Sequence, residues 1–164
     1  MESDNHQNEK SRKSQIKVRP MGIDDLAPVF YLGEKLFTYN RSPNLYRTWD
    51  QYEVIDFYTG DPEFCLVATM NNEIIGFILA TIIDKRQSHR RYGYLVWLGI
   101  DDRYRGLGAG TKLFQEFRAL ILREGVQMLL VDIEADNREA MDFFNHRGFA
   151  SPKDHIYLSL NLKR

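Results

Sequence analysis

A strand that runs into three glycines within five positions, and from them directly into an amphipathic helix, constrains this chain more than any other feature. The stretch is Trp97-Leu98-Gly99-Ile100-Asp101-Asp102-Arg103-Tyr104-Arg105-Gly106-Leu107-Gly108-Ala109-Gly110-Thr111-Lys112-Leu113-Phe114. Gly106, Gly108 and Gly110 leave backbone N–H groups uncovered by side chains. The helix opening behind them adds unpaired donors and a partial positive charge. A turn of this kind is suited to a phosphate, and which phosphate it takes is the functional question.

Around this turn the pattern is that of one mixed α/β domain over residues 15–164, behind a polar, aperiodic tail, Met1 to Ser14, that reads as disordered. Gln15 to Arg19 alternates as a strand ended by Pro20. Asp24 is placed to cap a helix carrying Leu26, Val29, Phe30, Leu32 and Leu36. A loop with Pro43 follows, and a second helix spans Trp49 to Tyr58, stopped by Gly60-Asp61-Pro62. Phe64 to Met70 and Ile74 to Ile83 read as a hairpin turning at Asn71-Asn72-Glu73. A polar connection with Lys85, Arg86, His89, Arg90 and Arg91 leads to the strand Tyr92 to Ile100, and its basic cluster reads as a solvated hairpin tip. The helix after the glycines shows an apolar stripe, Leu113, Phe114, Phe117, Leu120 and Ile121, ended by Gly125. Val126 to Glu134 reads as a central strand. Asn137 caps a short helix closed by Gly148, and Ile156 to Leu162 alternates as a last strand. The first half is antiparallel in character, whereas the strand–helix–strand unit around the glycines implies a parallel crossover.

Composition excludes several classes. The 22 basic and 23 acidic residues nearly balance, so neither general nucleic-acid binding nor adhesion to an anionic membrane is indicated. A single cysteine, Cys65, rules out an internal disulfide and a multi-cysteine zinc site; it reads as a buried small hydrophobe. His6, His89 and His146 have no metal-ligand spacing. With no long apolar run and a polar N-terminus, the expectation is a cytoplasmic protein.

Two familiar phosphate loops fail on order and spacing. A nucleotide P-loop places lysine directly before Ser or Thr, but here the order is Gly110-Thr111-Lys112. A dinucleotide fingerprint opens a long Rossmann unit, yet only 54 residues follow Gly110.

Arg105-Gly106-Leu107-Gly108-Ala109-Gly110 matches the Arg/Gln-x-x-Gly-x-Gly/Ala signature, and the chain resembles the GCN5-related N-acetyltransferases. Phe64 to Ile78 resembles that family's central hairpin. Asn137 to Phe149 resembles its Asn-x-x-Ala-x-x-Phe-Tyr-x-x-x-Gly-Phe segment. The resemblance covers roughly Gln15 to Leu162. It implies the acyl-CoA N-acyltransferase fold: a central, mostly antiparallel sheet flanked by helices, in which the strand ending at Ile100 carries a bulge and splays from its parallel neighbour. It also implies acetyl-CoA as cofactor. The diphosphate would rest on N–H groups from Arg105 through Gly106, Leu107, Gly108, Ala109 and Gly110 to Thr111. The pantetheine amides would pair with the strand at Leu98, Gly99 and Ile100, with Asn137 and Phe144 beside the cofactor.

The implied reaction is attack of a neutral amine on the thioester, which calls for proton removal and for a donor to the developing oxyanion. Leu98 N–H, placed at the bulge, is the expected oxyanion donor. Asp132 and Glu134, alternating onto one side of their expected strand, are candidate bases. Tyr94 stands in a strand, Tyr94 to Gly99, that resembles that of protein N-terminal acetyltransferases, where a tyrosine assists. His155 and Tyr157 flank the last strand as candidates to line an acceptor pocket, with His155 reading first as an exposed loop residue. The chain departs from the family at Phe144, where a tyrosine often acts as general acid. The acceptor is expected to be a primary amine on a small molecule or a peptide N-terminus, and the resemblance admits a homodimer. The rival readings are a CoA sensor without turnover and a nucleotide-binding regulatory module.

Overall fold

The computed structural model describes residues 15–38, 48–85, 90–150, 152–154, 156, 158, 160 and 162. The expected tail, the loop around Pro43, Arg86, His6, His89, His155 and Tyr157 lie outside the described residues. Two compact units divide the chain, one ending at Val131 and one beginning at Asp132.

The first unit holds strands β1 (Lys17–Pro20), β2 (Cys65–Met70), β3 (Glu73–Lys85), β4 (Arg90–Ile100) and β5 (Leu129–Val131) in one sheet, ordered as they occur in the chain. The first four pair antiparallel, and β4 and β5 run parallel. The helices are α1 (Leu26–Leu36), α2 (Gln51–Gly60) and α3 (Ala109–Arg123).

Asn71 and Asn72 both take left-handed backbone angles, φ 51 and 64, which closes the β2–β3 hairpin in two residues. Helix α2 begins where the Asp50 carboxylate accepts the N–H groups of Tyr52 and Glu53. Trp49 lies just before it, buried, its indole N–H donating to the Phe30 carbonyl at 3.0 Å. Asp24 does not cap α1. The chain instead makes a 3-10 turn over Ile23–Asp25, and the Asp25 carboxylate accepts from Gly22 N–H at 2.7 Å and from the Arg19 guanidinium at 2.9 Å.

One face of the sheet packs against α1 and α2 through Val29, Leu32, Leu36, Val54, Phe77 and Trp97. Phe37, Trp49, Phe77 and Trp97 meet ring against ring there, with centroids 4.7 to 6.1 Å apart. Residues Leu113, Phe114, Phe117 and Ile121 form the buried stripe of α3, as expected, and Gly125 ends that helix with φ +72. Cys65 is fully buried, and burial pushes its thiol up to about 12, so it acts as a small hydrophobe.

The strand expected over Val126 to Glu134 is reduced to three residues, and β5 lies at the edge of the described sheet rather than at its centre. Only Val126 of the flanking apolar residues is fully buried, while Met128 and Leu130 are exposed. In the second unit, α4 (Arg138–Asn145) is capped by Asn137, whose side chain accepts from Ala140 N–H at 3.1 Å. Phe144 is buried, edge-on to Phe143 and Phe149. Ile156, Leu158, Leu160 and Leu162 belong to no strand among the described residues and are exposed.

Candidate donor and active site

A bulge in β4 organises the site. Leu79 stands opposite Trp97 while Ala80 stands opposite Leu95, so Val96 is the extra residue. An inserted residue reverses which side chains face which side. Before the bulge, a Cβ at Gly93 would meet Ile121 of α3 at 3.0 Å. Beyond it, a Cβ at Gly99 would meet Leu36 of α1 at 2.8 Å and Phe77 at 2.9 Å. Ile100 points back toward α3, since a Cβ on the neighbouring Gly76 would meet both Ile100 and Leu113. Tyr94, opposite Thr81, therefore shares the α1–α2 face with Trp97, although the two are three positions apart.

The same reversal governs the backbone. Gly93 N–H donates toward β5, to the Met128 carbonyl at 2.9 Å, while Asp101 N–H donates toward β3, to the Ile75 carbonyl at 2.9 Å. Alternation back from Asp101 turns the N–H and C=O groups of Leu98 and Ile100 away from β3, and those of Gly99 toward it. On that outer side β5 pairs only with Gly93, Tyr94 and Leu95. The pairing of the two strands ends at Leu95 and Val131. Leu98 and Ile100 thus present a strand edge on the side away from β3.

The glycine turn follows at once. Asp102–Tyr104 makes a 3-10 turn whose start is capped by the Asp101 carboxylate, and Arg105 is extended. Gly106 and Gly108 take φ +77 and +88, and Gly108 is the N-cap of α3. A Cβ at either glycine would meet nothing within 4 Å. The left-handed angle, not crowding by the protein, demands glycine here, and the outer side of the turn is open. Arg105 pairs with Asp102 at 2.8 Å at its rim. A strand edge for amides, leading to an open turn at a helix N-terminus, fits a long donor with an amide-bearing arm and a diphosphate end.

Asp132 and Glu134 stand beyond the end of β5 and are exposed. The alternation that put both on one side of a strand does not hold, because β5 stops at Val131. Sequence reasoning missed the polar cluster of Glu73, Asp101, Arg103 and Tyr104, and the pairing of Trp97 Nε1–H with Glu53 at 2.7 Å. Arg103 holds the mostly buried Asp101 carboxyl below the usual range. Tyr104 and Arg103 do the same for Glu73. A Glu directly after a two-Asn turn was the one signal available for the cluster.

The fold and the site define a class: a mixed-sheet α/β protein with a short parallel strand pair, a bulged strand and an open glycine turn at the head of the crossover helix. Residues 33–149 match the acetyltransferase (GNAT) family, and the chain belongs to that family. It is 37% identical over 95 residues to N-alpha-acetyltransferase 30 of Schizosaccharomyces pombe (strain 972 / ATCC 24843), a match covering 56% of this chain and 61% of the relative, less than two thirds of its length. The NatC complex bound to Gag peptide and CoA contains a chain that superposes with a TM-score of 0.70 at 25% identity, covering 85% of this chain and 87% of that one. An aminoglycoside acetyltransferase from an uncultured soil metagenomic sample shares the fold, with a TM-score of 0.71 at 17% identity over 92% of this chain and 98% of that one.

Proposed function

We propose that this chain is an acetyl-CoA-dependent N-acetyltransferase acting on a primary amine, with a peptide N-terminus as acceptor, and that residues 15–164 form its single domain. The observation that carries this reading is the loss of pairing between β4 and β5 after Leu95, directly ahead of the open glycine turn. Relatives named as N-alpha-acetyltransferases support turnover over binding alone, and a peptide-bound neighbour supports the peptide acceptor.

When bound, acetyl-CoA supplies an activated acetyl thioester. The chain's own groups do the rest. Backbone groups of Leu98 and Ile100 hold the amide arm as an added strand would, and Leu98 N–H donates to the oxygen on which charge gathers. The N–H groups from Arg105 to Thr111 hold the diphosphate. An amine acceptor is mostly protonated at neutral pH, so a group must take its proton; Tyr94, Asp132 and Glu134 are assigned to this task, directly or through water. Asn137 and Phe144 keep their cofactor-side role by family resemblance. Phe144 has no proton to give, so the product thiolate would take its proton from another group or leave as the anion.

Thiol release from acetyl-CoA, measured with a panel of peptides and small amines, tests the reading. Peptide-dependent release supports it. Release with small amines alone moves the acceptor class, and CoA binding without release for any acceptor replaces the enzyme with a sensor.

A further inference from the structure

Glu73 links two turns that lie 30 residues apart in sequence. The tight Asn71-Asn72 turn delivers it as the first residue of β3, opposite Met70. One of its carboxylate oxygens accepts from Arg103 Nη2 at 2.6 Å, and the other accepts from Tyr104 Oη at 2.8 Å. Arg103 Nη2 also donates to Asp101 Oδ2 at 2.8 Å, and the backbone N–H of Arg103 donates to Asp101 Oδ1 at 2.9 Å. Asp101 is itself fastened to β3 through Ile75. The 102–104 turn is therefore held from its own start and from the hairpin at once. Arg105 and Gly106 are the next two residues.

This cluster is poorly suited to binding a phosphate itself. Two carboxylates share one guanidinium, which leaves no surplus positive charge. Its bonds fix a piece of backbone instead. Gly106 and Gly108, with no side chains to brace them, depend on their flanks for a fixed shape; α3 supplies one flank and the 102–104 turn the other.

We propose that Glu73 is a positioning residue of the donor site: by gripping Arg103 and Tyr104 it fixes the entry to the glycine turn and sets affinity for the diphosphate end of the donor. The proposal rests on the function proposed above. It separates donor binding from acyl transfer, because on the proposed function the thioester end would lie along β4 and not at the turn.

The test compares the full-length chain with Glu73→Ala and Tyr104→Phe, using two donors. One is acetyl-CoA. The other is the acetyl thioester of N-acetylcysteamine, which has a thioester and an amide but no phosphate. Glu73→Ala is expected to raise KM for acetyl-CoA about tenfold with kcat within about twofold, and to leave kcat/KM for the short thioester unchanged. Tyr104→Phe, losing one of the two bonds, is expected to shift KM about threefold in the same direction. Calorimetry with CoA and with pantetheine gives a readout free of turnover: the variants weaken CoA binding and leave pantetheine binding as it was. Equal losses with both donors, or no change in KM and CoA affinity, overturn the proposal. If the wild type binds CoA without turning over, the enzyme reading fails while the calorimetric contrast still decides this one. If the wild type binds no CoA, both fall.

Discussion

The indole N–H of Trp97 donates to a carboxylate oxygen of Glu53 at 2.7 Å, tying the bulged strand β4 to helix α2. Trp97 is the first residue after the bulge, and its ring packs against Phe37 and Trp49. Replacing Trp97 with Phe removes a charge-assisted bond and part of a packed ring. The expected loss is about 2–4 kcal/mol, read from urea unfolding. Glu53→Gln keeps an acceptor and is expected to cost less than about 1 kcal/mol. A loss below about 1 kcal/mol for Trp97→Phe would show that the bond contributes nothing particular.

Gly33→Ala reverses the usual rule for helices. Alanine in a helix interior is ordinarily better than glycine by about 1 kcal/mol. In α1, however, a Cβ on Gly33 would overlap the Trp49 ring. Trp49 is held by its bond to Phe30 and by neighbouring rings, so it cannot retreat cheaply. The expected outcome is a net loss of about 1–3 kcal/mol and a lower melting temperature. A rise in melting temperature would show that the ring yields.

Gly108→Ala meets open space, so its effect comes from the backbone. Holding alanine at φ +88 costs about 1–2 kcal/mol. The relaxed turn re-aims the N–H groups at the head of α3. Weaker CoA binding is expected by calorimetry, accompanied by a small loss of thermal stability. Unchanged affinity would remove the glycine turn from the donor site.

Tyr94→Phe removes a hydroxyl from the α1–α2 face of β4 and leaves the ring. If Tyr94 moves or positions a proton, kcat falls about 10- to 100-fold with little change in KM for acetyl-CoA or in melting temperature. A full-rate variant assigns proton removal to Asp132 or Glu134.

Acid stability should depend on Asp25. Its hydrogen bonds from Arg19, and the N–H of Gly22, hold its carboxyl below the ordinary value of 3.8. The unfolded chain therefore binds the proton first, and stability rises with pH across the interval between the two values. The contribution is complete above the unfolded value and is lost as pH falls through the folded one. Asp25→Asn should lower stability at neutral pH and flatten the acid limb, as followed by unfolding at a series of pH values. An unchanged acid limb would assign acid sensitivity elsewhere.

Much of this was legible in the chain alone, for local reasons. The hairpin at Asn71-Asn72, the stripe of α3, the Gly125 stop and the Asn137 cap follow from turn chemistry and periodicity within a few residues. The glycines before α3 announce a left-handed, side-chain-free turn whatever surrounds them. The family pattern supplied the bulge as an expectation but put it at Leu98, whereas the extra residue is Val96.

Other features depended on the tertiary structure. Periodicity carried Val126 to Glu134 as one central strand, yet strand pairing ends at Val131, opposite Leu95 and just before the bulge. That same inserted residue, Val96, places Tyr94 on the face of Trp97 and aims Leu98 and Ile100 outward, against the simple odd–even count. The Glu73–Arg103–Tyr104 grip and the Trp97–Glu53 bond join residues 30 to 44 positions apart. Sequence spacing holds no signal at that range. Only the folded sheet brings such side chains within hydrogen-bond distance.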